Sequence, residues 1–182
     1  MAENNEDVMT QCLLTIKSTL EADPYFTPTD GKPPIPVLVE VFQDIQQVIQ
    51  MTQMRQMLVT IAMEDETATG SGGCMTGTAR FVVRVIENLS VNRSPTGTME
   101  NSLRVAQKIA QVLNNKPAAK RENGTTFGGG SYKRTGITSA AAMGPDGMPA
   151  PQCRAYHVTF TVPNGTINDF TRRNGSPPAG AP

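Results

Sequence analysis

Two stretches of this chain repeat with a period of two. In residues 78–87, Phe81, Val83 and Val85 alternate with Val82, Arg84 and Ile86; in 155–162, Tyr156, Val158, Phe160 and Val162 alternate with His157, Thr159 and Thr161. Only extended backbone sends successive side chains to opposite sides, so both stretches are predicted strands with one covered face. In the first, Val82 and Ile86 predict partial cover on the other face as well.

The remaining elements are read around these two. Met9, Cys12, Leu13, Ile16 and Leu20 fall at helical spacing over 7–21, with Asp7 as a cap and Asp23-Pro24 as the stop. Five prolines in 23–36 exclude a helix or central strand and predict an extended connector. Val37, Leu38, Val39 and Val41 read as a short strand, Ile45, Val48, Ile49 and Thr52 as a helix, and 57–62 as a second strand. Met51, Met54, Met57 and Met63 suit adaptable core or interface filler. Residues 64–77 are acidic, then Gly- and Thr-rich, and suit a loop. From Thr98, a predicted N-cap, Leu103, Ala106, Ile109, Ala110 and Leu113 define a helix that ends at Asn114-Asn115.

The strand–helix–strand–strand–helix–strand order predicts an α+β fold of split βαβ, ferredoxin-like type. It would have a four-stranded antiparallel sheet with two helices on one face. An N-terminal helix (1–22), a proline-rich connector (23–36) and long irregular arms complete the expected organisation, the core being 37–114 with 153–163. Residues 115–152 hold seven Gly and four Pro, too long for an ordinary connection, and read as an arm inserted in the core. Residues 164–182 read as a polar tail with little to bury.

Most site chemistries fail on residue type or spacing. Cys12, Cys74 and Cys153 form no CxxC pair and His157 is the single histidine, so a zinc site lacks ligands. GTTFGGGSYKRT, Gly124 to Thr135, places Ser-Tyr between the last glycine and Lys133, breaking the phosphate-loop pattern. GSGGCMTG, Gly70 to Gly77, leads into a strand where a dinucleotide fold needs a helix N-terminus. Cys153 and His157 are four residues apart in one strand, about 13 Å between α-carbons, too far for a dyad. No cofactor is expected; an enzyme would have to work through His157 or Glu87. There is no signal-like segment and no apolar run of membrane-spanning length, so the expectation is a soluble chain made in a cytosol, without membrane contact.

Charge is the most informative compositional feature. The net charge is zero, yet residues 1–100 carry 6 basic and 13 acidic side chains and residues 101–182 carry 10 and 3. Such halves offer complementary faces to a neighbouring copy, or turn a basic half toward nucleic acid. Single-strand binding would use Lys116, Lys120, Arg121, Lys133 and Arg134.

One polar junction asks for its own explanation. The strand ending in VIEN runs through LSVNRSPTGT into the helix, placing Glu87, Asn88, Asn92 and Arg93 together. Asn, Ser and Thr satisfy backbone N–H groups in such turns and a Glu–Arg pair locks the ends; the alternative is an intersubunit contact at the end of the sheet.

IPVLVEV (35–41), FVVRVIENLSVNRS (81–94), Thr-Gly-Thr before a helix with AQKIAQVL (106–113), and YHVTFTV (156–162) together resemble phage and prophage tail-completion proteins. The resemblance spans 35–113 and the last strand. It implies a tail terminator or neck component of a tailed phage: a small α/β protein forming a ring, commonly hexameric, that caps the tail tube and joins it to the head. It implies a non-enzymatic virion protein, made in the host cytoplasm, whose partners are further copies of itself, the tail tube protein and neck or connector proteins, with DNA in the channel as a further contact. Glu87, Asn88, Asn92 and Arg93 carry across from the family pattern without an assigned chemical role. Other neck, tail or baseplate components, and a nucleic-acid-binding domain, are the alternatives.

Overall fold

The computed structural model describes residues 8–40, 43, 45–69, 76–93, 100–118, 130–142, 150 and 152–163. In chain order the elements are α1 (Val8–Glu21), β1 (Val37–Val39), α2 (Ile45–Met54), β2 (Met57–Thr69) and β3 (Thr76–Asn88). A single turn, α3 (Leu89–Asn92), then leads to α4 (Ser102–Leu113), β4 (Lys133–Ala140) and β5 (Cys153–Pro163).

The class is α+β, but the sheet differs from the expected one. It has five strands in the order β1-β2-β3-β5-β4, with β1 parallel to β2 and every other pairing antiparallel. β1, α2 and β2 form a β–α–β unit whose strands lie side by side, so no strand splits it and the ferredoxin-like antiparallel arrangement is corrected. The missed strand is β4, KRTGITSA, within the stretch read as an arm. Its side chains are mostly exposed and Ile137 is its one large apolar residue, so an edge strand defined by backbone pairing leaves almost no hydrophobic signal.

Register assigns the faces. Val59, Val85 and Tyr156 stand opposite one another, as do Ile61, Val83 and Val158. This face is packed by α1 through Cys12, Leu13, Ile16 and Leu20, and by α4 through Val105, Ile109 and Leu113. The N-terminal helix is therefore half of the core's helical layer, where an accessory position was expected. On the other face Leu58, Thr60, Arg84, Ile86, Ala155 and His157 alternate with the first set, and α2 packs here. The two core-pattern helices of the sequence thus lie on opposite sides of the sheet.

Two further segments differ from their expectations. Residues 64–69 and 76–77, read as loop, extend the β2–β3 hairpin, where Thr and Ala pair as a ribbon too polar to show an apolar period. The Gly-rich stretch is anchored at its start: Asn115 N–H donates to the Tyr132 carbonyl, and Ala118 N–H to that of Gly130, at 2.8 and 3.0 Å. Tyr132 is fully buried, edge-on to Phe81 and Phe160, and its hydroxyl donates between the carbonyls of Cys12 and Ala118. Burial pushes its phenol pKa up and keeps it a donor. Among the described residues no helix is long and apolar enough to cross a membrane.

Helix boundaries follow their caps. α4 begins at Ser102, with the Asn101 side chain accepting the Leu103 N–H at 2.8 Å; Thr98, the expected cap, lies outside the described residues. Its end is as expected, with Asn115 at φ 64°, a left-handed conformation that Asn tolerates better than most residues. Asp7, the expected cap of α1, and the 164–182 tail also lie outside the described residues.

Candidate functional site

The polar junction is built by strand periodicity. Glu87 and Asn88 are the last residues of β3, so their side chains leave on opposite faces. Glu87 turns toward the α1–α4 face and is buried. One carboxylate oxygen accepts the Asn92 side-chain amide at 2.8 Å; the other accepts the Ser102 N–H and hydroxyl at 3.2 and 2.5 Å. A carboxylate at the first turn of α4 meets unpaired N–H groups and the positive end of the helix dipole, so the strand end seats the helix start. Asn92 also donates to the Glu100 carbonyl at 2.7 Å, closing the intervening connection.

Asn88 acts in the other direction. Its amide N–H₂ donates to the carbonyls of Thr52 and Gln53, at 3.2 and 3.1 Å, which belong to the unpaired last turn of α2. Its side-chain oxygen accepts the N–H groups of Ser90 and Val91 and caps α3. One buried amide therefore ends one helix and starts another. The expected Glu–Arg lock is not the one formed: Glu87 is held by Asn92 and Ser102, while Arg93 is exposed at the end of α3.

Of the basic candidates, Lys116, Lys133 and Arg134 are exposed and brought together, because Tyr132 N–H bonds the Lys116 carbonyl at 2.9 Å and Lys133 Nζ donates to Asn115 at 3.0 Å. Lys120 and Arg121 lie outside the described residues.

The sequence reading missed a second polar group, on the α2 face. Glu40 accepts the Thr60 hydroxyl at 2.6 Å and pairs with Arg84 at 2.5 Å, and Arg84 stands opposite His157. These side chains and the apolar Val48, Ala62, Ile86 and Ala155 line a groove of about 800 Å³. Burial, and next the Arg84 charge, lower the His157 pKa, leaving the imidazole uncharged at neutral pH. Glu40, Thr60 and Arg84 follow or lie on three separate strands that only the sheet order brings side by side, so this trio had no readable spacing. Ser102 was legible in principle, since Asn-Ser before an apolar run is a helix-start signal.

Both Glu87 oxygens are occupied by internal donors, and Glu87 and His157 sit on opposite faces of the sheet. Among the described residues no group of three metal-ligating side chains converges. What the site does is fix three helix ends to one strand.

That is the anatomy of a small α+β scaffold whose polar junction hydrogen-bonds its own helix ends. No protein-family model and no curated protein matches the sequence. Among solved structures the chain is similar to one in the virion of a native gene transfer agent particle, with a TM-score of 0.54 and 12% identity, covering 86% of this chain and 96% of that one. The two share a fold.

Proposed function

We propose that this chain is a structural, non-enzymatic virion protein of a tailed phage or phage-like particle. Its specific role is a ring at the head–tail junction, six copies being the expected number, that terminates the tail tube and joins it to the neck. The observation that carries the reading is the fold shared with a chain of a gene transfer agent virion over nearly the whole of that chain. The sequence pattern ending in Glu87-Asn88, with its resemblance to tail-completion proteins, supports the same reading independently.

In this role the ring meets tail tube protein on one side and neck or connector proteins on the other. The 164–182 tail and, within the 115–152 stretch, the edge strand β4 are proposed to reach neighbouring molecules, and Arg93, exposed beside the junction, is a candidate contact. The test is to add the purified chain to polymerising tail tube protein and image the products. Tubes capped by a ring and halted in growth are expected; a monomer that leaves tube growth unchanged overturns the proposal.

A second reading, contact with DNA, has one observation behind it: Lys116, Lys133 and Arg134 gather at one exposed place. Phosphate contacts make affinity fall steeply with salt. Binding to an oligonucleotide that vanishes between low and physiological salt supports it, and absence of binding at low salt removes it.

A further inference from the structure

Both edges of the sheet are open among the described residues. On one side β1 ends at Val39, opposite Ile61, so β2 from Ala62 to Thr69 pairs with β3 alone. On the other, β4 pairs with β5 alone, and because the Arg134 N–H donates to the Asn114 side chain at 3.2 Å the open stretch runs from Thr135 to Ala140. Edge strands present unused N–H and C=O groups and are templates for another chain. The open stretches are eight residues long on β2 and six on β4.

They differ in charge. AMEDETAT carries Glu64, Asp65 and Glu66, whereas KRTGITSA begins with Lys133 and Arg134. Arg80 pairs with Glu64 and Asp65 at 3.2 and 2.7 Å, which leaves the acidic edge negative by about two charges. Charged residues alone protect an edge from aggregation, but opposite signs on the two edges also select a partner. β2 on β2, or β4 on β4, sets like charges together; β4 on β2 sets unlike charges together. Strand direction agrees, because three antiparallel pairings separate β2 from β4. A next copy in the same orientation therefore offers β4 antiparallel to β2, the stronger pairing.

We infer that copies of this chain join by antiparallel pairing of β4 in one copy with the Ala62–Thr69 edge of the next, continuing the sheet from copy to copy. The inference rests on the ring reading and names its interface, which is heterologous, as a ring requires. β1 blocks β2 below Ala62, and Ala140 stands level with Leu58 across the sheet. To clear β1, β4 advances by about four residues, ~13 Å. That stagger tilts the strands against the assembly axis, as in any closed sheet.

The test uses the full chain and two variants: K133E/R134E, with both edges acidic, and E64K/E66K, with both edges basic. Sedimentation is followed from micromolar to hundred-micromolar concentration, and thermal melts check folding. Wild type is expected to assemble, each variant alone to associate about tenfold or more weakly, and a 1:1 mixture to recover assemblies of even copy number. A chain carrying all four substitutions exchanges the charges and is expected to assemble as wild type does, which covers the case of one variant folding poorly. If folded variants assemble as well as wild type, or neither the mixture nor the exchanged chain recovers, edge pairing is wrong and the ring reading stands. A wild type that stays monomeric throughout overturns both.

Discussion

The two ends of the sheet use polar residues in opposite ways. At one end Glu87, Asn88 and Asn92 are buried, and each side chain is spent on the backbone or on another buried group. At the other, Lys133, Arg134, Glu64 and Asp65 stand exposed. The first group makes hydrogen bonds in a low-dielectric setting, where a lost partner is costly; the second sits in water, where charge is worth little until a neighbour excludes the solvent. In sequence they look alike. A polar residue's role is thus read from what its backbone surroundings lack: α2, α3 and α4 have unpaired ends, and the strand edges have unpaired sides.

The comparison is most exposed at Glu87. Glu87→Ala strands buried donors of Asn92 and Ser102 and is expected to cost about 3 kcal/mol, read by urea unfolding. Asn88→Ala removes a cap and two donors to α2, with an expected loss of about 2 kcal/mol by the same measurement. Losses under about 0.5 kcal/mol at both positions would reassign the junction to a contact surface.

A third probe lies on the groove face, between the two ends. His157 has a lowered pKa, so the unfolded chain takes up a proton first as pH falls. The stability from keeping this imidazole neutral is complete above its ordinary value of 6.5 and declines as pH drops below it toward the folded-state pKa. Melts of wild type and His157→Gln across pH 5 to 8 are expected to diverge on the acid side; parallel curves would remove His157 from the account. The smallest effect belongs to the charged edge: Lys133→Glu with Arg134→Glu is expected to change monomer stability by less than about 0.5 kcal/mol. A loss as large as that of Asn88→Ala would erase the distinction between the ends.

Much of this was legible. The alternation in 81–86 and 156–162 predicted which side chains share a face, and register confirms it residue by residue. α1 ends at Glu21 and α4 at Leu113, where the stop signals stand. β4 was not legible, since pairing at an edge asks only for backbone. Nor was the side on which α2 packs, because its pattern specifies an apolar face without saying which surface of the sheet receives it.

At the junction, sequence narrowed the residues to Glu87, Asn88, Asn92 and Arg93 and offered turn-building as one role. It paired Glu87 with the wrong partner. The attraction of Glu for Arg is a local rule, whereas Ser102 reaches Glu87 only because α4 folds back onto the face that Glu87 enters.

By itself, the sequence determined the strands and helices that carry a periodic apolar signal, the absence of metal-site and phosphate-loop spacing, and the split of charge between its halves. Tertiary structure alone decided the fifth strand, the parallel β1–β2 pair, the opposite sides taken by α2 and α4, and the donors that hold Glu87. The division has one physical cause. Periodicity records which side chains leave water, and it is written along the chain. Backbone pairing and helix ends are satisfied by whatever folding brings near, and that partner can lie many residues away.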